Sequence, residues 1–130
     1  PDGETDTEGG LFLKAHDLAR IGHLFVNDGE WNGKQVLSAD WIAASVKPHI
    51  ADVSPSNDGR NSGYSYQWWV PEHENGEAKV YGGIGFGGQR LIVMPEHNIV
   101  AVLTGWNIFG NPEPVEVALR EQVIPEALSR

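Results

Sequence analysis

Gly83, Gly85 and Gly88 stand at the spacing G-x-G-x-x-G, a pattern that in other settings cradles phosphate. They lie in Tyr81-Gly82-Gly83-Ile84-Gly85-Phe86-Gly87-Gly88-Gln89, where five of nine residues are glycine. Glycine loses more backbone freedom on folding than any other residue, so this density is costly. It implies positive φ angles, or a bare backbone that another group approaches closely. The residues downstream of the segment exclude two phosphate chemistries. A dinucleotide fingerprint must open a helix whose N-terminus meets the pyrophosphate, yet Leu91-Ile92-Val93-Met94-Pro95 reads as strand. A kinase-type glycine loop does lie between strands, but Arg90 takes its valine position and Ile99 to Thr104 offers no lysine. Two readings remain: the rim of an active site, with strand backbone bared to a substrate, or a bulged hairpin in a twisted sheet.

The other reactive side chains form no site of their own. His16, His23, His49, His73 and His97 lack close metal spacing, and His16 and His23 are too far apart for an i, i+4 pair. They read as surface or capping residues. With no cysteine, disulfides and thiolate metal sites are excluded. No cofactor and no metal is expected. Nine basic residues against eighteen acidic ones give a net charge of -9, and no Lys/Arg cluster exists to neutralise phosphates. That argues against nucleic acid or an anionic membrane as partner. No apolar run approaches the ~18 residues of a membrane span.

The elements that must position the glycine segment can be read from periodicity. The 130 residues suffice for one core, and 40% hydrophobic with 21% charged is globular composition. Leu18, Ile21, Gly22 and Phe25 predict a helix near 15–27, with Asp17 in its first turn, poorly capped by Lys14 and stopped by Asn27-Asp28-Gly29. Gly29 suits the left-handed C-terminal cap. Trp31-Asn32-Gly33 is a turn, Val36-Leu37 a short extended piece, and Ser38 caps a second helix near 39–46. Residues 49–63 read as an exposed loop. Tyr64-Ser65-Tyr66-Gln67-Trp68-Trp69-Val70 is aromatic and predicts one strand. Asn75-Gly76 is a hairpin signal within the acidic run Glu72, Glu74, Glu77, read as solvated. Strands follow at about 78–84, 88–94 and 98–105, the second and third continuously apolar and so covered on both faces. A last helix near 114–128, with Val115, Ala118 and Leu119 as its stripe, is bent or ended at Pro125. The expected class is α/β (α+β): an antiparallel sheet of about four strands with helices on both faces.

The order of these pieces resembles the C-terminal part of the serine β-lactamase-like superfamily: class C β-lactamases, penicillin-binding-protein-like esterases and 6-aminohexanoate-dimer hydrolases. Gly9-Gly10-Leu11 with Asp17 to Gly22, then Asp28 to Leu37 and Trp41, is similar to the paired helices leading back into the sheet. Tyr64 to Trp69 resembles the first returning strand. Gly83-Ile84-Gly85, with Gly88-Gln89 and Pro95, resembles the third active-site motif and the strand after it. The resemblance covers about residues 9–105.

In that superfamily the nucleophile is the serine of Ser-x-x-Lys, served by a lysine and a tyrosine of a Tyr-x-Asn-like motif. No serine here has lysine three residues on, and no tyrosine has asparagine two residues on. The chain therefore reads as the C-terminal portion of a larger hydrolase domain, without an activated nucleophile and inactive alone. The resemblance gives it the cleft edge strand: Gly83, Ile84, Gly85 and Tyr81 as substrate-binding positions, and the Phe86 N–H as an oxyanion donor. A register shift to Tyr81-Gly82-Gly83 would make Ile84 the donor. The reduced motif lacks a cationic side chain, which favours ester or amide substrates over β-lactam carboxylates. The expected partners are a small-molecule ester or amide, and the missing N-terminal portion or a second copy. Members are often periplasmic or secreted, and no signal peptide opens this chain. Tyr64, Tyr66, Trp68 and Trp69 read mainly as core, one or two of them walling an acyl pocket. The competing class is a non-catalytic module that binds glycan or protein through exposed aromatic faces.

Overall fold

The computed structural model describes residues 9–53, 63–74, 77–106 and 118–129. Residues 1–8, residues 54–62 of the exposed loop, the Asn75-Gly76 turn and Val115 lie outside the described residues. Helix α1, Ala15–Val26, lacks a side-chain cap at Lys14, as its type dictates; in its first turn Asp17 pairs with Arg20. At its end the Gly29 N–H donates to the Leu24 carbonyl (2.8 Å) and the Asp28 N–H to the Phe25 carbonyl (3.3 Å). This is the paired closure of a Schellman motif. The left-handed cap position is therefore Asp28 (φ 50°), one residue before the glycine the sequence favours. Gly29 is glycine for another reason: at φ 85° its Cβ would fall on the Leu37 carbonyl.

Strands β1 (Glu30–Trp31) and β2 (Lys34–Gln35) close over Asn32 and Gly33, both at positive φ, the geometry of a tight hairpin turn. The short strand is thus Lys34–Gln35, and Val36-Leu37, expected as the extended piece, form a bend after it. Helix α2, Ala39–Val46, starts as expected, with Ser38 accepting from the Trp41 N–H.

The main sheet holds β3 (Gly63–Tyr64), β4 (Trp69–Glu74), β5 (Glu77–Gly85), β6 (Gln89–Met94) and β7 (Ile99–Leu103), in that order and antiparallel throughout. The α/β class with an antiparallel sheet stands, with a fifth strand added. That strand appears because the aromatic segment is not one strand. It folds back on itself: Gly63 pairs with Val70 and Tyr64 with Trp69, around a turn where Gln67 has φ 63°. Pro71 sits in β4 at a register shift between Trp69 and Glu72, where a strand tolerates a residue without an N–H.

The core lies between this sheet and the helices. Phe25 of α1, Ile42 and Val46 of α2, and Val70, Tyr81, Leu91 and Val93 of the sheet are all buried together. Helix α1 packs on β6 and β7, closely enough that a Cβ on Gly22 would meet Val100 at 2.5 Å. At the C-terminal end a π-turn over Leu119–Val123 runs into α3, Ile124–Leu128. The irregular turn directly precedes Pro125, which cannot donate a helical hydrogen bond.

Candidate active site

The glycine segment spans the end of β5, a three-residue turn and the start of β6. Gly85 pairs with Gln89, Ile84 with Arg90, Gly83 with Leu91 and Tyr81 with Val93. Between Gly85 and Gln89 the chain turns through Phe86, Gly87 and Gly88, the glycines at φ 85° and 91°. Only glycine adopts such angles without strain.

The other side of β5 is different. The last β5 residue to find a partner on β4 is Gly82, opposite Trp69. From Gly83 to Gly85 that side of the strand has no ladder partner among the described residues. Among the described residues the sheet is therefore closed on one side of the glycine segment and open on the other. An open strand edge offers unpaired N–H and C=O groups for an extended ligand to align with.

The glycines along this stretch have distinct causes. A Cβ on Gly82 would collide with the Leu91 carbonyl, so the neighbouring strand demands glycine there. A Cβ on Gly85 would meet the Gln89 side chain at 2.5 to 2.8 Å. Gly83 is the exception: its Cβ would find only Leu91 Cβ, at 3.9 Å. Packing within the described residues does not require glycine at 83.

The side chains divide the expected site. Ile84 is 53% exposed and Phe86 80% exposed, so both stand out beside the open edge. Tyr81 does not join them. It is 2% exposed, with its ring 5.4 Å from Trp68 at 89° and 6.2 Å from Phe25. Alternation along β5 turns residue 81 into the core, so its ring packs there rather than beside Ile84 and Phe86. Burial pushes its phenol well above the ordinary tyrosine range, and the negative charge of Asp28 adds to the shift.

Two residues absent from the sequence-level site belong to this hairpin. Gly105, just past β7, lies under the turn: its Cβ would sit 2.6 Å from the Gly87 carbonyl oxygen. Gln89 Nε2 also reaches the Gly105 carbonyl, at 3.4 Å. The available signal was a lone glycine closing an apolar strand, which often marks close backbone approach. The second residue is Arg90. Its Nη1 donates to the Gln89 carbonyl at 2.9 Å and lies 3.4 Å from the Gly85 carbonyl.

The remaining aromatics separate likewise. Trp68 packs on Phe25 with ring centroids 4.4 Å apart and the planes tilted by 48°, and is partly buried. Trp41 and Tyr66, each about half exposed, stack on one another at 5.6 Å and 8°, with His49 4.7 Å from Tyr66. Among the described residues no group of three or more His, Asp or Glu side chains could hold a metal ion. No described helix is long and apolar enough to cross a membrane.

Comparison with known proteins fits this architecture. Residues 1–123 match the family profile named Beta-lactamase. Over 103 residues the chain is 31% identical to the 6-aminohexanoate-dimer hydrolase of Paenarthrobacter ureafaciens, covering 75% of this chain and 26% of that protein. A solved Bacillus anthracis structure, a "putative 6-aminohexanoate-dimer hydrolase", superposes with TM-score 0.64 at 31% identity, over 87% of this chain and 28% of that one. A "putative beta-lactamase" from Bacteroides dorei DSM 17855 shares the fold at TM-score 0.62 and 13% identity, over 98% and 46% of the respective chains. The chain thus spans about a quarter of the curated relative's length.

Proposed function

Given that the chain belongs to the Beta-lactamase family and has a serine-hydrolase-type fold, we propose that it forms the cleft-edge portion of a serine hydrolase acting on an ester or amide. The observation that carries this reading is the open side of β5 from Gly83 to Gly85, beyond the last β4 pair at Gly82. An extended acyl substrate lies against that backbone, with room at Gly83 and with Ile84 and Phe86 as apolar walls. A serine supplied from outside residues 1–130, by a further segment or a partner chain, attacks the carbonyl carbon. The carbonyl oxygen then gains negative charge, and the Phe86 N–H together with the nucleophile's own N–H stabilises it. Collapse of this intermediate breaks the C–O or C–N bond, the leaving group takes up the proton that the serine hydroxyl gave up, and water hydrolyses the resulting acyl-serine to free acid and serine. The name of the Paenarthrobacter relative points to an amide between amino-acid units as one substrate class.

The test compares the chain alone with a protein that also carries the serine-bearing region. The longer protein turns over p-nitrophenyl esters and is phosphonylated once on a serine by a fluorophosphonate, gaining the mass of the reagent less HF, whereas residues 1–130 alone do neither. Turnover by residues 1–130 alone contradicts the division of labour. The exposed Trp41–Tyr66 stack is the feature a non-catalytic binding module would use. Its inner faces cover one another, which leaves one outer face per ring rather than a side-by-side platform.

A further inference from the structure

Phe86 donates through a peptide whose other end is the Gly85 carbonyl. In a trans peptide the C=O and N–H point in opposite directions, and no described peptide bond here is cis. Whatever holds the Gly85 oxygen therefore sets the direction of the Phe86 hydrogen. Among the described residues the backbone holds this peptide from the β6 side alone, through the pairing of Gly85 with Gln89, the last pair before the turn. Gly85, Gly87 and Gly88 flank that peptide, and glycine rotates freely where other residues are confined. On the β4 side no ladder partner among the described residues restrains it.

The group aimed at that oxygen is Arg90. It stands opposite Ile84 on β6, one pair in from the turn. Its Nη1 is anchored on the Gln89 carbonyl at 2.9 Å and lies 3.4 Å from the Gly85 carbonyl, where the contact is partly buried. Guanidinium is the one side chain that stays charged at any working pH while offering several donors in a plane. Placed on the carbonyl oxygen, it draws electron density through the amide and makes the N–H at the other end a stronger donor.

Resting on the hydrolase reading above, we propose that Arg90 is a positioning residue for the oxyanion donor: it holds the Gly85–Phe86 peptide with its N–H toward the cleft and polarises it. Arg90 does not touch substrate. Its contribution appears only as charge develops on the carbonyl oxygen, so it acts on turnover rather than on substrate binding.

The experiment uses the longer protein that carries the serine-bearing region, with Arg90→Met and Arg90→Lys. The parent protein's labelling by a fluorophosphonate tests the hydrolase reading separately; a parent that neither labels nor hydrolyses esters overturns both claims. With an active parent, Arg90→Met lowers kcat about 10- to 100-fold for p-nitrophenyl butyrate and leaves KM within about twofold. Its affinity for an arylboronic acid, whose tetrahedral adduct mimics the oxyanion, falls by a similar factor. Arg90→Lys recovers most of both losses, since an ammonium can still reach the carbonyl. If Arg90→Met does not fold, Arg90→Gln gives the same comparison, keeping a donor without the charge. Arg90→Met or Arg90→Gln with kcat within threefold of the parent overturns the proposal. So does a loss confined to KM, or boronic acid affinity that does not move.

Discussion

Gly83 sits one residue beyond the last β4–β5 pair, Gly82 opposite Trp69, and the two adjacent glycines differ in what surrounds them. A side chain at 82 strikes the Leu91 carbonyl, while one at 83 meets a single carbon at 3.9 Å. One glycine serves the sheet, and the other leaves space beside it.

This separates stability from activity at neighbouring positions. Gly82→Ala lowers stability by about 2 to 4 kcal/mol, because the obstacle is backbone and cannot swing aside. Gly83→Ala leaves the unfolding free energy from urea titration within about 0.5 kcal/mol of the parent, since an alanine fits there. In the active longer protein, however, Gly83→Ala reduces kcat/KM at least about tenfold by occupying the substrate's place. Parent-like activity in Gly83→Ala would contradict the assignment of that space to substrate.

Gly105→Ala tests the support beneath the turn. Its Cβ would press on the Gly87 carbonyl oxygen at 2.6 Å and on Gly88 at 3.2 Å, both backbone. The expected cost is about 1 to 3 kcal/mol in denaturant unfolding, accompanied by loss of turnover as the turn shifts. An unchanged midpoint with unchanged turnover would mean that the turn is not seated on Gly105.

Much of this arrangement was legible in the residues themselves. Ser38 announced α2, Asn27-Asp28-Gly29 announced the end of α1, and the apolar runs 91–94 and 99–103 announced β6 and β7. The hairpin at Ser65 to Trp68 was not, because its positive-φ residue is Gln67 and no glycine, proline or asparagine marks the turn. The burial of Tyr81 follows from alternation once β5 has a register, but a glycine-rich strand leaves few side chains from which to read one. The open edge at Gly83 was also beyond local reading. It is a property of where β4 stops pairing, set by a register shift near Pro71. The closeness of Arg90 to Gly85 likewise depends on the pairing of Ile84 with Arg90.

The core tyrosine predicts a pH dependence. Burial raises the folded-state pKa of Tyr81 above its unfolded value, with Asp28 adding to the effect. The stability held by the neutral phenol is fully present below the unfolded value, about pH 10, and is lost as pH rises beyond it toward the folded value. Thermal melts therefore fall above about pH 10 more steeply for the parent than for Tyr81→Phe, which has no phenol to ionise. Equal slopes for the two would contradict a neutral phenol buried in the core.

The proposed catalysis rests most heavily on one hydrogen, the N–H of Phe86, and that hydrogen can be removed without touching any side chain. Incorporating phenyllactic acid at position 86 of the active longer protein replaces the amide by an ester. We expect kcat to fall about 10²- to 10³-fold with KM within about threefold, the cost of losing one oxyanion donor. The corresponding ester at Ile84 should leave kcat near that of the parent. Full turnover with the ester at 86, or a loss that follows the ester at 84 instead, would contradict the placement of the oxyanion site on the open edge at Phe86.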